Sequence, residues 1–368
     1  MANENLTTAK STKNDEFYTQ YADIEKEMTA YLEYDSEVFK DKTILLPCDD
    51  PEWSNFTKWF VLNFTKIGLK KLISTSYAFD SKQIPISDQP TPFEFNNPKF
   101  DATKTRSRGK IFTLTRRMPP SSRKIEDLDW HYLDGDGDFR SDEVKALRDE
   151  ANIICTNPPF SLFREFLAWI TEADKKFLII GNMNAITYKD VFPLIRDNKM
   201  WLGATANGSD MVFGVPPGVI VKDSDKDKAA RLGYVGDYTR LGNSCWFTSI
   251  DHGRRHQPLS LMTMADNIRF SRHKEVRDIG YKKYDNYDAI EVPFTDVIPS
   301  DYEGVMGVPI SFLDKYNPDQ FEILGLDRYV PDNPKYGHRF TINDREIYAR
   351  ILIKHRNPLV IDHETAGN

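Results

Sequence analysis

An α/β fold with a mainly parallel sheet, followed by a smaller and less regular carboxy-terminal domain, is predicted by three observations. Short apolar runs alternate with helical patterns through the first half of the chain. Polar, proline-containing segments follow directly after those runs. Beyond residue 200 the alternation stops, and prolines punctuate short strand-like runs. Alternation of this kind implies parallel strands with helices on both faces. In such sheets ligands sit beyond the carboxyl ends of the strands. The segments just after each strand are therefore the places to look for chemistry.

Residues 20–40 carry Tyr21, Ile24, Met28, Tyr31 and Leu32 at helical spacing among acids. Thr43–Leu46 (TILL) is a short apolar run ended by Pro47, as expected of a buried strand. Phe56, Trp59, Phe60 and Phe64 share one helix face, and Gly68 ends that helix. Lys71–Tyr77 reads as the next strand. Residues 80–126, rich in Pro, Asn, Ser and basic residues, read as an excursion from the core, with Ile111–Thr115 as a candidate strand inside it. Ala151–Cys155 is a strand, Phe160–Ile170 a helix and Lys176–Ile180 a further strand. Met211–Val215, Cys245–Ile250 and Ala289–Val292 are strand-like. Pro216, Pro217, Pro293 and Pro299 interrupt that region, and a helix is expected at about Asp344–Lys354.

Composition narrows the classes. The chain has 368 residues, room for two domains, and 40% hydrophobic with 29% charged residues is ordinary for a globular protein. No stretch has the ~20 apolar residues of a membrane span, and the polar amino terminus is no secretory signal. Cys48, Cys155 and Cys245 are odd in number and far apart, which favours neither disulfides nor zinc; a reducing cytoplasm is the expected setting. The net charge of −7 argues against nucleic acid until its distribution is read. Lys99, Lys104, Arg106, Arg108, Lys110, Arg116, Arg117, Arg123 and Lys124 are accompanied by one acid, Asp101. A second basic stretch holds Arg254, Arg255, Arg269, Arg272, Lys274, Arg277, Lys282 and Lys283. Either run by itself would suit a solvated face; two in an acidic chain suit a nucleic-acid groove.

The sharpest motif is TNPPF, Thr156–Phe160, placed directly after a strand and before a helix. The lone pair of a planar amino group is delocalised, so the group is a poor nucleophile. The Asn157 side-chain oxygen and the Pro158 carbonyl are suited to accept its hydrogens. Two such bonds favour tetrahedral nitrogen and stabilise positive charge as a group is transferred to it. Pro158 and Pro159 fix φ and hold those carbonyls rigidly. Phe160 offers a flat face to a base taken out of a duplex. The competing reading is an ordinary Pro-Pro turn.

This loop resembles motif IV of the amino-group DNA methyltransferases, Asn/Asp/Ser-Pro-Pro-aromatic. More closely, the chain is similar to the EcoRI-type adenine-specific (N6-adenine) DNA methyltransferases. NDEFYTQYADIEKEM, TILLPCDDPEWSNF, ICTNPPFSLFREF, LIIGNMNAITYKDVFPLI and GVPISFLDKYNPDQFEILG carry the likeness across most of residues 14–326. The resemblance implies a Rossmann-like fold that binds S-adenosylmethionine, and direct methyl transfer to a flipped adenine in double-stranded DNA without a metal. Phe17, Tyr18 and Thr19 match the FYT element beside the methionyl end of the cofactor. Pro47, Asp49 and Asp50 stand at motif I, where the usual glycine-rich turn is missing; either acid suits the cofactor ammonium, and an Asx turn capping the next helix is the plainer alternative. Asp138 and Phe139 of GDGDF match the motif III pair that takes the cofactor adenine. The end of strand Lys71–Tyr77 lacks the usual ribose-binding acid, with Asp80 slightly beyond. The alternating acids Asp134, Asp136 and Asp138 invite a calcium reading, but Phe139 and Lys145 stand where a calcium loop needs Gly and Glu. Asn182 and Asn184 are weaker candidates for the target pocket, and His252 and His256 show no metal-ligand pattern.

The element order implies residues 1–250 as catalytic domain, with 81–126 a basic insertion, and 251–368 as target-recognition region. Arg106, Arg108, Lys110, Arg116, Arg117, Arg254, Arg255 and Arg272 are the candidate DNA contacts. Transfer to the cytosine N4 amino group, an RNA or protein-amide methyltransferase, and a catalytically dead DNA-binding module are the alternatives. A matching endonuclease would make it half of a restriction-modification pair.

Overall fold

In the computed structural model the described residues are 17–51, 53–78, 98–117, 125, 128–205, 211–215, 221–330 and 337–360. Residues 81–97 of the basic insertion, Asp80, Arg123, Lys124, Pro216 and Pro217 lie outside them. In chain order the first elements are β1 (Tyr18–Thr19), α1 (Tyr21–Tyr34), β2 (Thr43–Leu46), α2 (Asn55–Asn63), β3 (Lys71–Ser76), α3 (Ala102–Ser107), β4 (Lys110–Thr115) and β5 (Asp129–Tyr132). There follow α4 (Asp142–Glu150), β6 (Ile153–Thr156), α5 (Phe163–Glu172), β7 (Lys176–Asn182), α6 (Phe192–Arg196) and β8 (Trp201–Leu202). Next come β9 (Val212–Gly214), α7 (Asp223–Arg231), β10 (Tyr238–Arg240), β11 (Ser244–Thr248), α8 (Met264–Phe270) and α9 (Lys274–Arg277). The chain closes with β12 (Ile290–Glu291), β13 (Met306–Pro309), β14 (Phe321–Leu326), β15 (Thr341–Ile342), β16 (Arg345–Glu346) and β17 (Arg350–His355).

The chain divides into two compact units. Residues up to 183 and 202–252 form one; 184–201 and 253 onward form the other. The second unit thus recruits 184–201, which lie inside the 1–250 stretch of the sequence reading.

The first unit is built on an eight-stranded sheet ordered β5-β4-β3-β2-β6-β7-β11-β8. Its centre is parallel: β3 with β2, β2 with β6, and β6 with β7. Antiparallel pairs flank that centre, β3 with β4, β4 with β5, and β7 with β11. All four residues of β2 are buried, as a strand covered on both faces requires. Helix α2 makes the crossover to β3. Its cap, Ser54, accepts from Phe56 N–H and Thr57 N–H, satisfying two amides that the helix cannot pair itself. Helix α5 makes the crossover from β6 to β7 and buries Phe163, Phe166, Leu167 and Ile170. In α1 the buried stripe is Ile24, Glu27, Met28 and Tyr31. The Glu27 carboxylate accepts from Ala204 N–H and Thr205 N–H, each at 2.8 Å, and from Tyr31 Oη at 2.9 Å; burial raises its pKa, and these donors counter that rise only in part.

Two local expectations are corrected. Ile111–Thr115 is no part of an excursion: β4 pairs with β3 from Lys71↔Thr115 to Ser76↔Lys110 and belongs to the central sheet. The helix expected at about Asp344–Lys354 is strand. Asn343 and Asp344 both have positive φ, 51° and 61°, which suits the tight turn joining β15 to β16. The following Arg350–His355 then runs antiparallel between β13 and β14. In the second unit these strands form the sheet β12-β13-β17-β14.

Candidate active site

Because β2 and β6 are parallel neighbours, with Leu45 opposite Ile154, the turn after β2 and the loop after β6 emerge side by side. The turn Pro47–Asp50 has no glycine; hydroxyl groups hold it instead. Thr75 Oγ1 donates to the Pro47 carbonyl at 2.9 Å, and Ser74 Oγ donates to the Asp49 carbonyl. Ser54 Oγ donates to Asp49 Oδ1 at 2.6 Å, and Thr156 Oγ1 donates to Asp49 Oδ2 at 2.5 Å.

In the loop after β6, Asn157 is 9% exposed. Its Nδ2 donates to the Phe17 carbonyl at 2.8 Å. A carbonyl only accepts, so this bond fixes which way the amide faces. Oδ1 then lies buried without a hydrogen-bond partner among the described residues. A buried acceptor left open costs about 1–3 kcal/mol, which a ligand donor would return. Pro158 and Pro159 are buried. Leu162 N–H donates to the Pro159 carbonyl at 2.9 Å and starts the helical turn leading into α5. Phe160 is half-buried, its ring 6.4 Å from that of Phe17 and edge-on to Phe213 at 6.1 Å.

A small, partly open recess lies here. Phe17, Tyr18, Thr19, Asp49, Asp50 and Asn157 all line it. Thr19 Oγ1 is a second buried oxygen with no hydrogen-bond partner among the described residues. The FYT element, the turn after β2 and the NPPF loop, spread over 140 residues of chain, thus meet at one place. Strand β1 delivers the FYT element by pairing antiparallel with β9, Tyr18 opposite Gly214. Pro47 shapes the turn but does not line the recess. Cys48, Ser54, Asn55 and Phe56 do line it and were missed from sequence. Asn55 Nδ2 donates to the Thr19 carbonyl at 2.8 Å. The signal for these residues was the helix start Ser54-Asn55, whose cap follows the turn directly.

The GDGDF loop sits beside the end of β3. Ala78 N–H donates to the Asp136 carbonyl at 2.8 Å. The Asp138 carboxylate holds Arg140, with bonds of 2.9 and 2.6 Å. Burial alone would raise its pKa, but the hydrogen bonds from Arg140 and Tyr77 outweigh it and hold the carboxyl at about 2. Phe139 departs from its expected role. It is 2% exposed, with its ring packed on Phe166 at 5.1 Å and Trp169 at 5.6 Å, which leaves no face for a cofactor ring.

The candidate DNA contacts separate into two kinds. Arg106, Arg117 and Arg272 are exposed; Arg108 lies 3.6 Å from Asp134. Lys110 is buried, 5.6 Å from the Trp130 ring centre, because β4 is a sheet strand. Arg116 donates to the Leu69 carbonyl at 2.7 Å and pairs with Asp41 at 2.6 Å, closing the turn before β3. Arg254 holds Asp314, and buried Arg255 stacks 3.7 Å over Trp201. Of the weaker candidates, Asn182 ends β7 and Asn184 is exposed. His252 meets the Leu202 carbonyl at 2.9 Å. His256 lies 3.5 Å from Asp319. Among the described residues no group of His, Cys, Asp and Glu could hold a metal ion, and no helix is long and apolar enough to cross a membrane.

A buried amide oxygen held open beside a recess, at the carboxyl ends of parallel strands, is what transfer to a planar amino group demands. The class so defined is that of the amino-group methyltransferases. The chain belongs to the family described as adenine-specific methyltransferase EcoRI, whose profile matches residues 5–356. It is 40% identical over 355 residues to the Type II methyltransferase M.EcoRI of Escherichia coli, spanning 96% of this chain and 97% of that protein. It is 30% identical over 366 residues to the Type II methyltransferase M.MpnI of Mycoplasma pneumoniae, spanning 96% and 98%. With the Type II methyltransferase M.MgeORF184P of Mycoplasma genitalium it shares 32% identity over 360 residues, spanning 94% and 97%. No solved structure matches the chain.

Proposed function

We propose that this protein transfers a methyl group from S-adenosylmethionine to the N6 amino group of an adenine flipped out of duplex DNA. The observation that carries the reading is Asn157 Oδ1, a buried acceptor with no hydrogen-bond partner among the described residues, at the mouth of a recess. The recess fits the cofactor's chemistry: acids Asp49 and Asp50 and the hydroxyl of Thr19 suit a ligand with a cationic amino acid end. When bound, the cofactor supplies an electrophilic methyl on a sulfonium.

The chain's residues do the rest. Asn157 Oδ1 and the Pro158 carbonyl accept the two N6 hydrogens, draw the nitrogen toward tetrahedral geometry and stabilise its developing charge. The Phe17 carbonyl keeps the Asn157 amide from turning its nitrogen toward the base. Phe160 gives the base a face, and the fixed φ of Pro158 and Pro159 keeps the acceptors in place. Exposed Arg106, Arg117 and Arg272 are proposed to meet DNA phosphates, and the second unit to supply target recognition.

The test is mass spectrometry of nucleosides from DNA of a methylation-deficient host expressing the protein or its Asn157→Ala variant. The wild type should yield 6-methyladenine, and the variant about a hundredfold less or lower still. Recovery of 4-methylcytosine would change the base, and recovery of neither from well-expressed protein would overturn the reading.

A further inference from the structure

The turn after β2 presents two adjacent acids to the recess, and the carboxylate of Asp49 is held by hydroxyls of the chain itself. Both oxygens of Asp49 accept from hydroxyls, Oδ1 from Ser54 at 2.6 Å and Oδ2 from Thr156 at 2.5 Å. Ser54 Oγ in turn accepts from Phe56 N–H at 3.1 Å and Thr57 N–H at 3.2 Å, so the chain of bonds begins at the amino end of α2. Thr156 is fully buried, ends β6 and directly precedes Asn157. Its partner lies 107 residues away in sequence. Hydrogen bonds to an ionised carboxylate are short and about twice as strong as neutral ones. A β-branched side chain has few χ1 choices, so this bond selects the Thr156 rotamer and, with it, the course of the backbone into Asn157.

We infer that Asp49 is a positioning residue: through Thr156 it locks the catalytic loop to the cofactor turn, so that the Asn157 acceptor keeps a fixed place relative to the bound methyl donor. The inference rests on the proposed function. It assigns Asp49 to catalytic geometry, acting through Thr156, and it explains how a motif I without glycine serves. The hydroxyls of Ser54, Ser74, Thr75 and Thr156 hold the turn where backbone flexibility otherwise would. Burial, first, and the negative charge of Asp49, second, push the pKa of the neighbouring Cys155 thiol up.

The test compares full-length wild type with Thr156→Val, Thr156→Ser, Asp49→Asn and the Asp49→Asn/Thr156→Val double variant. It measures kcat on duplex DNA at saturating S-adenosylmethionine and, separately, the Kd for S-adenosylmethionine. Thr156→Val, which keeps the shape and removes the hydroxyl, should lower kcat about tenfold to a hundredfold with Kd changed less than about threefold. Thr156→Ser should retain kcat to within about threefold. The double variant should be no worse than the poorer single variant, as residues acting through one bond are non-additive. Wild-type kcat in Thr156→Val, an equal loss in Thr156→Ser, or multiplied losses in the double variant would each overturn the inference. If Thr156→Val does not fold, Thr156→Ala takes its place with the same expected loss. A wild type that methylates no adenine defeats the proposed function instead, which keeps the two failures apart.

Discussion

Replacing Gly137 by alanine should disturb the loop beside the end of β3 by an amount that can be worked out in advance. Gly137 has φ +88°, and a Cβ there would lie 2.4 Å from the Ser76 carbonyl oxygen. The left-handed backbone costs an L-residue about 1–2 kcal/mol. The clash is with backbone at the end of a central strand, so no side chain can swing away, and overpacking adds about 1–3 kcal/mol. Gly233 is the matched control: its φ is +93°, and nothing lies within 4 Å of its Cβ position. Gly233→Ala therefore pays the conformational term alone. At ~2–4 °C per kcal/mol for a unit of this size, Gly137→Ala should melt roughly 2–12 °C below Gly233→Ala. Moving the loop also displaces Asp138 from its hydrogen bond with Tyr77; with Asp138 as the proposed partner of the cofactor adenine, S-adenosylmethionine binding should weaken in Gly137→Ala and not in Gly233→Ala. The assays are thermal melting and calorimetric titration. Equal melting temperatures for the two variants would refute the argument that close backbone approach, rather than φ alone, demands glycine at 137.

Two further outcomes are expected. Arg272, whose side chain is 79% exposed and pairs with Asp296 at 2.8 Å, can exchange that carboxylate for a phosphate. Arg272→Ala should weaken duplex binding and reduce the slope of log K against log salt by about one, whereas Arg255→Ala should lower the melting temperature and leave the slope unchanged; the reverse pattern would exclude Arg272 as a phosphate contact. Asp327 is buried, and that burial raises its pKa from 3.8 to about 6. A raised carboxyl pKa means the folded state binds the proton more tightly, so its stabilisation is complete below 3.8 and lost as pH rises through 6. Asp327→Asn stays neutral, so its melting temperature relative to wild type should climb between about pH 3.8 and about pH 6 and level off above that; a difference independent of pH would contradict this.

Local patterns decided much of the first unit. TILL, KLIST and KFLII are apolar runs whose burial follows from their own composition, and TNPPF directly after a strand marks a loop at the ligand-binding edge whatever the rest of the chain does. The amino-terminal FYT element was legible only through its resemblance, since nothing in its own residues says that Phe17 will offer a carbonyl to Asn157. Other features were illegible because they depend on partners distant in sequence. Lys110 reads as part of a basic run, yet pairing of β4 along β3 buries it. Phe139 reads as a ring for a ligand, yet α5 supplies Phe166 and Trp169 to cover it. The end of the chain reads as helix by spacing, yet two positive-φ residues at Asn343 and Asp344 turn it into strands. The two acids at 49 and 50 are equivalent in sequence. Only the side-by-side emergence of β2 and β6 brings the Thr156 hydroxyl to one of them, because a hydrogen bond is decided by ångström-scale proximity, which sequence spacing alone does not specify.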